Sequence, residues 1–186
     1  MIGRRGPVVR PATAADARAI AEIRIASWRA AYPGMVPATV LDRMDATRDE
    51  ARMAERLADP RQRALVVEDA TGRVAGFVLA AAARDEDAAG LGEVQAIYLA
   101  PAARGRGLGR PLLECAVADL ADAGLTTVVL WVLTANASAR RFYEKAGFRL
   151  DGAARLLDFD GTPVEEVRYR RPPVAPIRAT QPPRGT

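Results

Sequence analysis

Residues 97–109 read IYLAPAARGRGLG, and they are the most informative part of the sequence. Its apolar start is typical of a strand, and a helical pattern begins near Gly107. Between strand and helix, the closely spaced glycines let backbone N–H groups converge without obstruction from Cβ atoms. The helix start adds unsatisfied donors and partial positive charge, while Arg104 and Arg106 add full charges. We interpret the stretch as a loop suited to a pyrophosphate.

The spacing of the glycines separates this loop from two common nucleotide-binding motifs. No Gly-Lys-Ser or Gly-Lys-Thr follows, which excludes a P-loop NTPase. The alternation of Gly105, Gly107 and Gly109 departs from G-x-G-x-x-G, and the preceding strand is internal to the chain, so a Rossmann fingerprint is weak. A flexible turn before a helix is the remaining alternative, which the density of glycine and arginine disfavours.

Hydrophobic patterning on both sides of the loop predicts a mixture of strands and helices. Strands are predicted at 8–10, 64–68, 74–82, 93–99, 126–133, 148–150, 155–159 and 164–170. Helices are predicted from Thr13 to about 31, from Pro37, from Thr47 to about 57, at 107–123 and at 138–145. Capping boxes are expected at Thr13 with Asp16 and at Thr47 with Glu50.

The order of these elements predicts the sheet. The strand–helix–strand crossover from Glu93 to Leu133 should be right-handed and give one parallel pair, and the other strands should pair antiparallel. The fold class is therefore α/β of the α+β type, with a single mixed, mostly antiparallel sheet flanked by helices. The length of 186 residues suggests one domain, residues 1–171. A proline-rich tail, 172–186, is predicted to be extended or disordered.

Composition excludes several classes of protein. The chain has no histidine, which removes Ser-His and Cys-His nucleophiles and most zinc sites, and no metal site is predicted. Its one cysteine, Cys115, lies mid-helix and is predicted to be a small buried residue rather than a nucleophile. Lys145 is the sole lysine and hence the sole candidate for a lysine Schiff base.

The charge and hydropathy of the chain bear on its partners and location. The formal net charge is +4, but the arginines at the two ends account for it, and residues 11–171 carry −1. This is a poor footprint for a nucleic-acid binder. No segment approaches the roughly 20 apolar residues of a membrane span, and no signal-peptide core follows the first residues. We therefore expect a cytoplasmic protein that binds neither nucleic acid nor membrane.

Two motifs resemble those of a known family. Arg104-x-x-Gly107-x-Gly109 is similar to the acyl-CoA signature of the GNAT superfamily of N-acetyltransferases, R/Q-x-x-G-x-G/A. Residues 136–148, NASARRFYEKAGF, resemble the second motif of that family, N-x-x-A-x-x-F-Y-x-x-x-G-F. The two motifs are 32 residues apart, a helix plus a strand, in the order that the family requires. The resemblance covers residues 8–170 and is weakest on the acceptor side.

The resemblance implies a GNAT-like acyl-CoA N-acyltransferase fold with acetyl-CoA as cofactor. Backbone groups of 97–99 would pair with the pantetheine arm and polarise the thioester carbonyl, and the loop amides would hold the pyrophosphate. Asn136 would contact the pantetheine amides, and the Tyr143 hydroxyl would protonate the leaving thiolate. The implied cofactor-binding residues are Ile97, Tyr98, Leu99, Arg104, Gly105, Arg106, Gly107, Leu108, Gly109, Asn136 and Tyr143.

Each implied role has a structural alternative. A tyrosine with a pKa of about 10 can protonate a thiolate whose acid has a pKa of about 8.5, but Tyr143 could also be a core aromatic beside Phe142. Asn136 could be a helix N-cap, a role compatible with cofactor contact. Arg104 and Arg106 could be ordinary solvated charges.

The acceptor side is described less fully by the sequence. Strand alternation places Glu93, Gln95, Ile97 and Leu99 on one face. The resemblance implies that Glu93 deprotonates the ammonium directly or through water, and a solvated strand-end acid is the alternative. The resemblance also implies an acceptor pocket at Trp28, Tyr32 and Met35, although core packing is the favoured interpretation of Trp28. The acidic run 85–87 is expected to be a solvated loop, or else to attract a cationic acceptor.

The sequence thus predicts an acetyl-CoA-dependent N-acetyltransferase that acts on a primary amine of a small molecule or peptide. The amine would attack the thioester directly, with catalysis resting on positioning and carbonyl polarisation. The alternative is a non-catalytic acyl-CoA-binding or regulatory module on the same fold. Tyr143 and Glu93 favour the enzyme, because a binding module needs neither. Since dimers are common in the family, a homodimer is a further expectation.

Overall fold

The structure is a computed structural model, and it describes residues 7–173. Seven strands form one sheet in the order β1-β2-β3-β4-β5-β7-β6. The strands are β1 Val8–Pro11, β2 Arg63–Glu68, β3 Val74–Ala82, β4 Gly92–Leu99, β5 Val128–Leu133, β6 Arg149–Phe159 and β7 Thr162–Arg171. The helices are α1 Ala17–Ala31, α2 Ala38–Asp42, α3 Ala46–Ala58, α4 Gly109–Asp122 and α5 Ala137–Lys145. The predicted tail lies almost wholly outside the described residues.

The sheet consists of two antiparallel halves that meet at β4 and β5. All other neighbouring strands pair antiparallel, as the element order predicts. The parallel pair is short, because only Gly92 with Val128 and Glu93 with Val129 are in register. From Val94 onward, β4 has no partner on the β5 side. The predicted parallel pair is confirmed, and the two central strands separate after two residues.

Helices cover both faces of the sheet and bury two separate cores. On one face, α4 and α5 pack on a core that includes Leu112, Leu120, Val128 and Tyr143. On the other face, α1 and α3 contribute Ile20 and Met53 to a core with Phe77 and Leu79 of β3. Within residues 7–173, no helix is long and apolar enough to cross a membrane.

A β-bulge in β4 overturns the predicted alternation of that strand. Leu79 pairs with Ala96 but Ala80 pairs with Val94, so Gln95 is an extra residue in β4. Val94, Ile97 and Leu99 consequently belong to the core under α4, whereas Ala96 and Tyr98 face α1. The prediction that Glu93, Gln95, Ile97 and Leu99 share a face is therefore wrong.

Three local predictions also need correction. Asp45, not Thr47, caps α3 and accepts a hydrogen bond from the Arg48 N–H at 2.8 Å, because the earlier Asp provides an adequate cap. The strands predicted at 148–150 and 155–159 form one strand, β6, whose pairing with β7 shifts register after Leu150. Cys115 is exposed on α4 rather than buried.

The first capping prediction agrees better with the structure. The Asp16 carboxylate accepts from the Thr13 N–H at 2.7 Å, and the chain makes one turn of 3-10 helix, Ala14–Asp16, before α1. At the other end of α1, the Ser27 hydroxyl donates to the Leu99 carbonyl at 2.8 Å. The C-terminal half of α1 is therefore fixed against the end of β4, beside the place where the two central strands separate.

Candidate active site

A cavity of about 550 Å³ lies where β4 and β5 separate. Its lining passes from one face of the sheet to the other. The lining residues are Ala30, Ala31, Tyr32, Met35, Val94, Gln95, Ala96, Ile97, Tyr98, Leu99, Arg104, Gly109, Trp131, Val132, Ala135, Asn136, Ala137, Ser138, Ala139, Phe142 and Tyr143. The structure thus brings both sequence motifs to one cavity, together with the residues that follow α1.

The cavity has two chemically different sides. We call the α5 side the part lined by Asn136, Ser138, Phe142 and Tyr143. We call the α1 side the part lined by Tyr32, Met35, Tyr98 and Trp131. Trp131 belongs to the α1 side because its neighbours Leu130 and Val132 point into the α4 core, and strand side chains alternate.

The glycine-rich loop has the geometry that an anion requires. Gly105 and Gly107 have φ angles of 73° and 78°, a region that favours glycine, and a Cβ at either position would meet no heavy atom within 4 Å. In the described part of the chain, no backbone N–H from 105 to 110 donates to a backbone carbonyl. Six amides therefore stay available next to the start of α4, which fits a pyrophosphate.

The side chains of this loop differ in their exposure and in whether they line the cavity. The Arg104 guanidinium lines the cavity and donates to the Ser27 carbonyl at 3.2 Å, so it is fixed against α1. Arg106 is exposed and outside the lining, and the side chain of Leu108 is buried in the core. A Cβ at Gly109 would lie 3.4 Å from the Phe142 ring, which shows how closely α4 approaches α5. Leu108 and Arg106 can thus contribute backbone N–H groups to a ligand, and neither side chain lines the cavity.

Asn136 has the structural role that its residue type suggests. Its side-chain oxygen accepts from the Ala139 N–H at 3.1 Å and caps α5. The residue also lines the cavity. Because the cap uses the oxygen, the two N–H groups of the carboxamide stay available to a ligand.

Tyr143 lies at the centre of an aromatic cluster on the α5 side. Its ring is buried, with ring centroids 5.3 Å from Phe142, 6.0 Å from Phe148 and 6.5 Å from Tyr169. Burial raises the pKa of the Tyr143 hydroxyl, which therefore keeps its proton at neutral pH. Tyr143 also lines the cavity, so packing in the core and access to the cavity occur together.

The structure does not bring Glu93 into the cavity. Glu93 is 2% exposed, and the Arg84 side chain donates to its carboxylate at 2.6 Å and 3.1 Å. The backbone N–H of Arg84 adds a third contact at 3.3 Å. Glu93 is thus neither the solvated acid nor the cavity-facing base that the sequence suggested. The pair with Arg84 fixes the start of β4, where this strand still pairs with β5.

The α1 side contains two tyrosines in contact. The hydroxyls of Tyr32 and Tyr98 lie 3.2 Å apart. Burial raises the pKa of both, so neither is a base at neutral pH. Trp28 lies outside the cavity lining and packs edge-on against Tyr32 at 4.8 Å between ring centroids. Core packing is therefore the role that the structure gives Trp28, while Tyr32 and Met35 reach the cavity.

Trp131 is a cavity residue that the sequence analysis missed. Its indole N–H donates to Asp85 at 2.7 Å, and the Arg155 guanidinium lies 4.1 Å from the ring centroid. Asp87 pairs with Arg168 at 2.7 Å through both of its oxygens. Asp85 and Asp87 of the run 85–87 are therefore bound to arginines and Trp131 rather than free to attract a cation. One sequence signal could have identified this residue: Trp131 is the one aromatic residue in β5, and the other residues of that strand are aliphatic.

This sheet, split between two central strands and flanked by a loop of free amides, is the architecture of acyl-CoA-dependent N-acyltransferases. The chain belongs to the acetyltransferase (GNAT) family, which matches residues 20–148. The family and the fold that the motifs implied are thus confirmed.

Two curated relatives show how far the sequence similarity extends. An uncharacterized N-acetyltransferase of Mycobacterium tuberculosis is 35% identical over 120 residues, which are 64% of this chain and 74% of that protein. A mycothiol acetyltransferase of Mycobacteroides abscessus is 37% identical over 122 residues, or 66% of this chain, but the match spans only 38% of that longer protein. Both of these relatives are therefore acetyltransferases by name.

Solved structures agree on the fold. The PaiA N-acetyltransferase of Thermoplasma acidophilum, solved with coenzyme A, has a TM-score of 0.68 at 18% identity, covering 90% of this chain and 99% of that one. YncA of Salmonella typhimurium, solved with its cofactor acetyl-CoA, has a TM-score of 0.68 at 24% identity, covering 89% and 93%. At these identities the likeness establishes the fold alone.

Proposed function

We propose that this protein transfers the acetyl group of acetyl-CoA to the nitrogen of a primary amine, without a covalent enzyme intermediate. The observation that carries the proposal is the cavity between β4 and β5, which extends from Arg104 and Gly109 at the two ends of the loop to Tyr143 and to the α1 side. A ligand that entered beside the loop would reach a second ligand on the α1 side. This arrangement suits direct transfer between two bound molecules.

The residues of the chain divide the work of binding. The amides of 105–110, which have no backbone partner, would hold a pyrophosphate, and the free N–H groups of the Asn136 carboxamide would bind the amides of a pantetheine arm. The edge of β4 from Val94 to Leu99 has no strand partner on the β5 side, so its backbone groups can pair with the same arm. When bound, acetyl-CoA supplies an acetyl group activated as a thioester.

Tyr143 and the β4 backbone are the groups closest to the chemistry in this proposal. An N–H on the unpaired β4 edge would donate to the carbonyl oxygen, where negative charge develops in the transition state. The Tyr143 hydroxyl would give its proton to the departing sulfur. Burial raises the pKa of the hydroxyl, so the transfer depends on the hydroxyl being positioned beside the sulfur rather than on its acidity. We assign no direct contact between Glu93 and the amine, because Arg84 occupies its carboxylate. Proton transfer from the ammonium through water stays a prediction.

A thiol-release assay with acetyl-CoA and a panel of amines tests the proposal. The panel spans polyamines, aminoglycosides, amino acids, peptide N-termini and aromatic amines. Release of one equivalent of free coenzyme A per acetylated amine, identified by mass spectrometry, is the expected result. Binding of acetyl-CoA with no amine-dependent thiol release would favour the non-catalytic acyl-CoA-binding module instead.

A further inference from the structure

The α1 side of the cavity restricts the chemical class of the acceptor. We infer that the acceptor is a primary amine carried on an uncharged aromatic ring, which is the arylalkylamine class. This inference rests on the proposed function, because it names the second substrate of the same site. It is carried by the rings that line the α1 side and by the pairing of Asp85, Glu93 and Glu166 near them.

Aromatic and sulfur-containing side chains form the α1 side. Tyr32, Tyr98 and Trp131 line it together with the thioether of Met35. Aromatic rings prefer to meet other rings edge-on or offset, and thioethers also pack favourably against ring edges. A ligand ring therefore has four suitable partners here, and the polar residue beside them, Gln95, has its side-chain oxygen bound to Arg56. The α5 side offers Asn136 and Ser138 as polar neighbours.

The rings of the α1 side are held in place by contacts with neighbouring residues. Asp85 accepts from the Trp131 indole at 2.7 Å, and Arg155 stacks 4.1 Å from its ring centroid. Trp28 packs edge-on against Tyr32, whose hydroxyl contacts that of Tyr98. A wall that is already ordered loses little conformational freedom when a ligand binds. The α1 side is thus a preformed surface for a flat apolar body.

The charged groups around this surface are paired with one another. Glu166 accepts from Arg155 at 3.0 Å and 3.1 Å, Asp85 contacts Trp131 and Arg155, and Glu93 is held by Arg84. No carboxylate occurs among the cavity-lining residues of the described chain, and the charged residue among them, Arg104, belongs to the loop. A polyamine or aminoglycoside needs unpaired carboxylates, because bringing its charges out of water is costly without them. An uncharged ring has no such requirement.

A matched set of amines tests this inference directly. We would measure kcat/KM for 2-phenylethylamine, for 2-cyclohexylethylamine, which has the same length without the π system, and for spermidine. The expected order is phenyl first and spermidine last, with about tenfold or more between them, because a ring-sized apolar contact discriminates on this scale. Turnover of spermidine equal to or faster than that of the phenyl amine would overturn the inference and leave the proposed function intact. Absence of thiol release with every amine would overturn both.

Variants on the two sides of the cavity separate binding of the amine from binding of acetyl-CoA. Trp131→Leu should lower kcat/KM for 2-phenylethylamine about tenfold and abolish its advantage over spermidine, with the acetyl-CoA Kd unchanged. Trp131→Phe keeps a ring and should retain the order of amines. Phe142→Leu, on the α5 side, should instead raise the acetyl-CoA Kd and leave the order of amines unchanged. An unchanged preference in Trp131→Leu would contradict the inference.

A binding measurement covers the case in which Trp131→Leu does not fold. The chain has two tryptophans, so Trp28→Phe leaves Trp131 as the single indole fluorophore. With coenzyme A present, 2-phenylethylamine should change the Trp131 emission saturably, and spermidine at the same concentration should not. A saturable response to spermidine, or no response to the phenyl amine, would contradict the inference without reference to turnover.

Discussion

The two sides of the cavity are built in different ways. The α5 side and the loop come from two continuous segments, 97–109 and 136–143, and they offer mainly backbone amides and one carboxamide. The α1 side comes from three separate parts of the sequence, Tyr32 with Met35, Tyr98, and Trp131, and it offers side-chain surface. Binding of a ligand through backbone amides requires a short pattern of glycines in the sequence. Binding through side chains from separate segments requires no such continuous pattern. The difference explains why the loop and the α5 side can be recognised from a sequence motif and the α1 side cannot.

Among changes on the α5 side, removal of the Tyr143 hydroxyl has the largest expected effect on kcat. Tyr143→Phe should lower kcat by about 10²–10⁴-fold, because a positioned proton donor acts when charge develops on sulfur. The acetyl-CoA Kd should change little, since the ring and its packing remain. Steady-state kinetics with titration calorimetry would measure both.

Tyr169→Phe is the matched control for Tyr143→Phe. Tyr169 is buried in the same aromatic cluster, but its hydroxyl donates to Glu144 at 2.7 Å and does not line the cavity. This variant should lose some stability and retain kcat. If Tyr143→Phe also retains kcat while the chemical step limits turnover, Tyr143 is structural and the thiolate takes its proton from water.

A β-branched side chain in the loop should affect binding rather than the chemical step. Gly107→Val should raise the acetyl-CoA Kd by about 100-fold, because valine is strained at a φ of 78° and its methyls would block the approach to the amides. Gly72→Val is the control, since Gly72 has a φ of 81° in the β2–β3 turn and no cavity contact. Equal Kd values for wild type and Gly107→Val would exclude the loop as the phosphate site.

Acetyl-CoA itself should stabilise the fold by binding to the folded state alone. At a concentration about 100-fold above Kd, the free energy of unfolding should rise by about 2.7 kcal/mol. Differential scanning calorimetry would show the rise as a higher Tm, and acetyl-pantetheine, which lacks the pyrophosphate, should give a smaller shift at equal concentration. An unchanged Tm at saturating acetyl-CoA would contradict the cofactor assignment.

The smallest effect is expected at the start of α1, away from the cavity. Hydrogen bonds from Arg10 lower the pKa of Asp16 from 3.8 to about 2. The ionised pair therefore stabilises the fold fully above pH 4 to 5, and this contribution is lost as pH falls toward 2. Asp16→Asn should cost about 1–2 kcal/mol at pH 7 and little near pH 2, as urea unfolding at several pH values would show. A cost independent of pH would contradict this account, and the acetyl-CoA Kd should not change.

Sequence reasoning succeeded where the determinants are local. The strands and helices followed from periodicity, and residues 104–109 and 136–148 predicted the family because each motif is continuous. The bulge at Gln95 had no such signal, because the shift is set by pairing with Leu79 and Ala80 of β3. The bulge decides on which face of the sheet each β4 side chain lies, and therefore the faces of β4 were predicted wrongly.

Contacts between distant residues account for the errors at Glu93 and Trp131. The sequence does not show that Arg84 occupies the carboxylate of Glu93, because the two residues meet only when β3 and β4 pair. The bond from Trp131 to Asp85 joins residues 46 positions apart in the sequence. Such pairs depend on the finished sheet, and they form the wall of the α1 side. The acceptor side was for this reason the part that sequence motifs described least.

Glycine amide resonances provide the most direct test of the central claim that the loop holds the pyrophosphate of acetyl-CoA. Protein labelled with ¹⁵N-glycine has 15 such residues, and Gly105, Gly107 and Gly109 can be assigned by substitution. Titration with acetyl-CoA should shift these three resonances saturably and leave Gly72 and Gly161 unmoved, whereas acetyl-pantetheine should shift the three much less. If saturating acetyl-CoA left all three unmoved, the amides of the loop would not be its binding site.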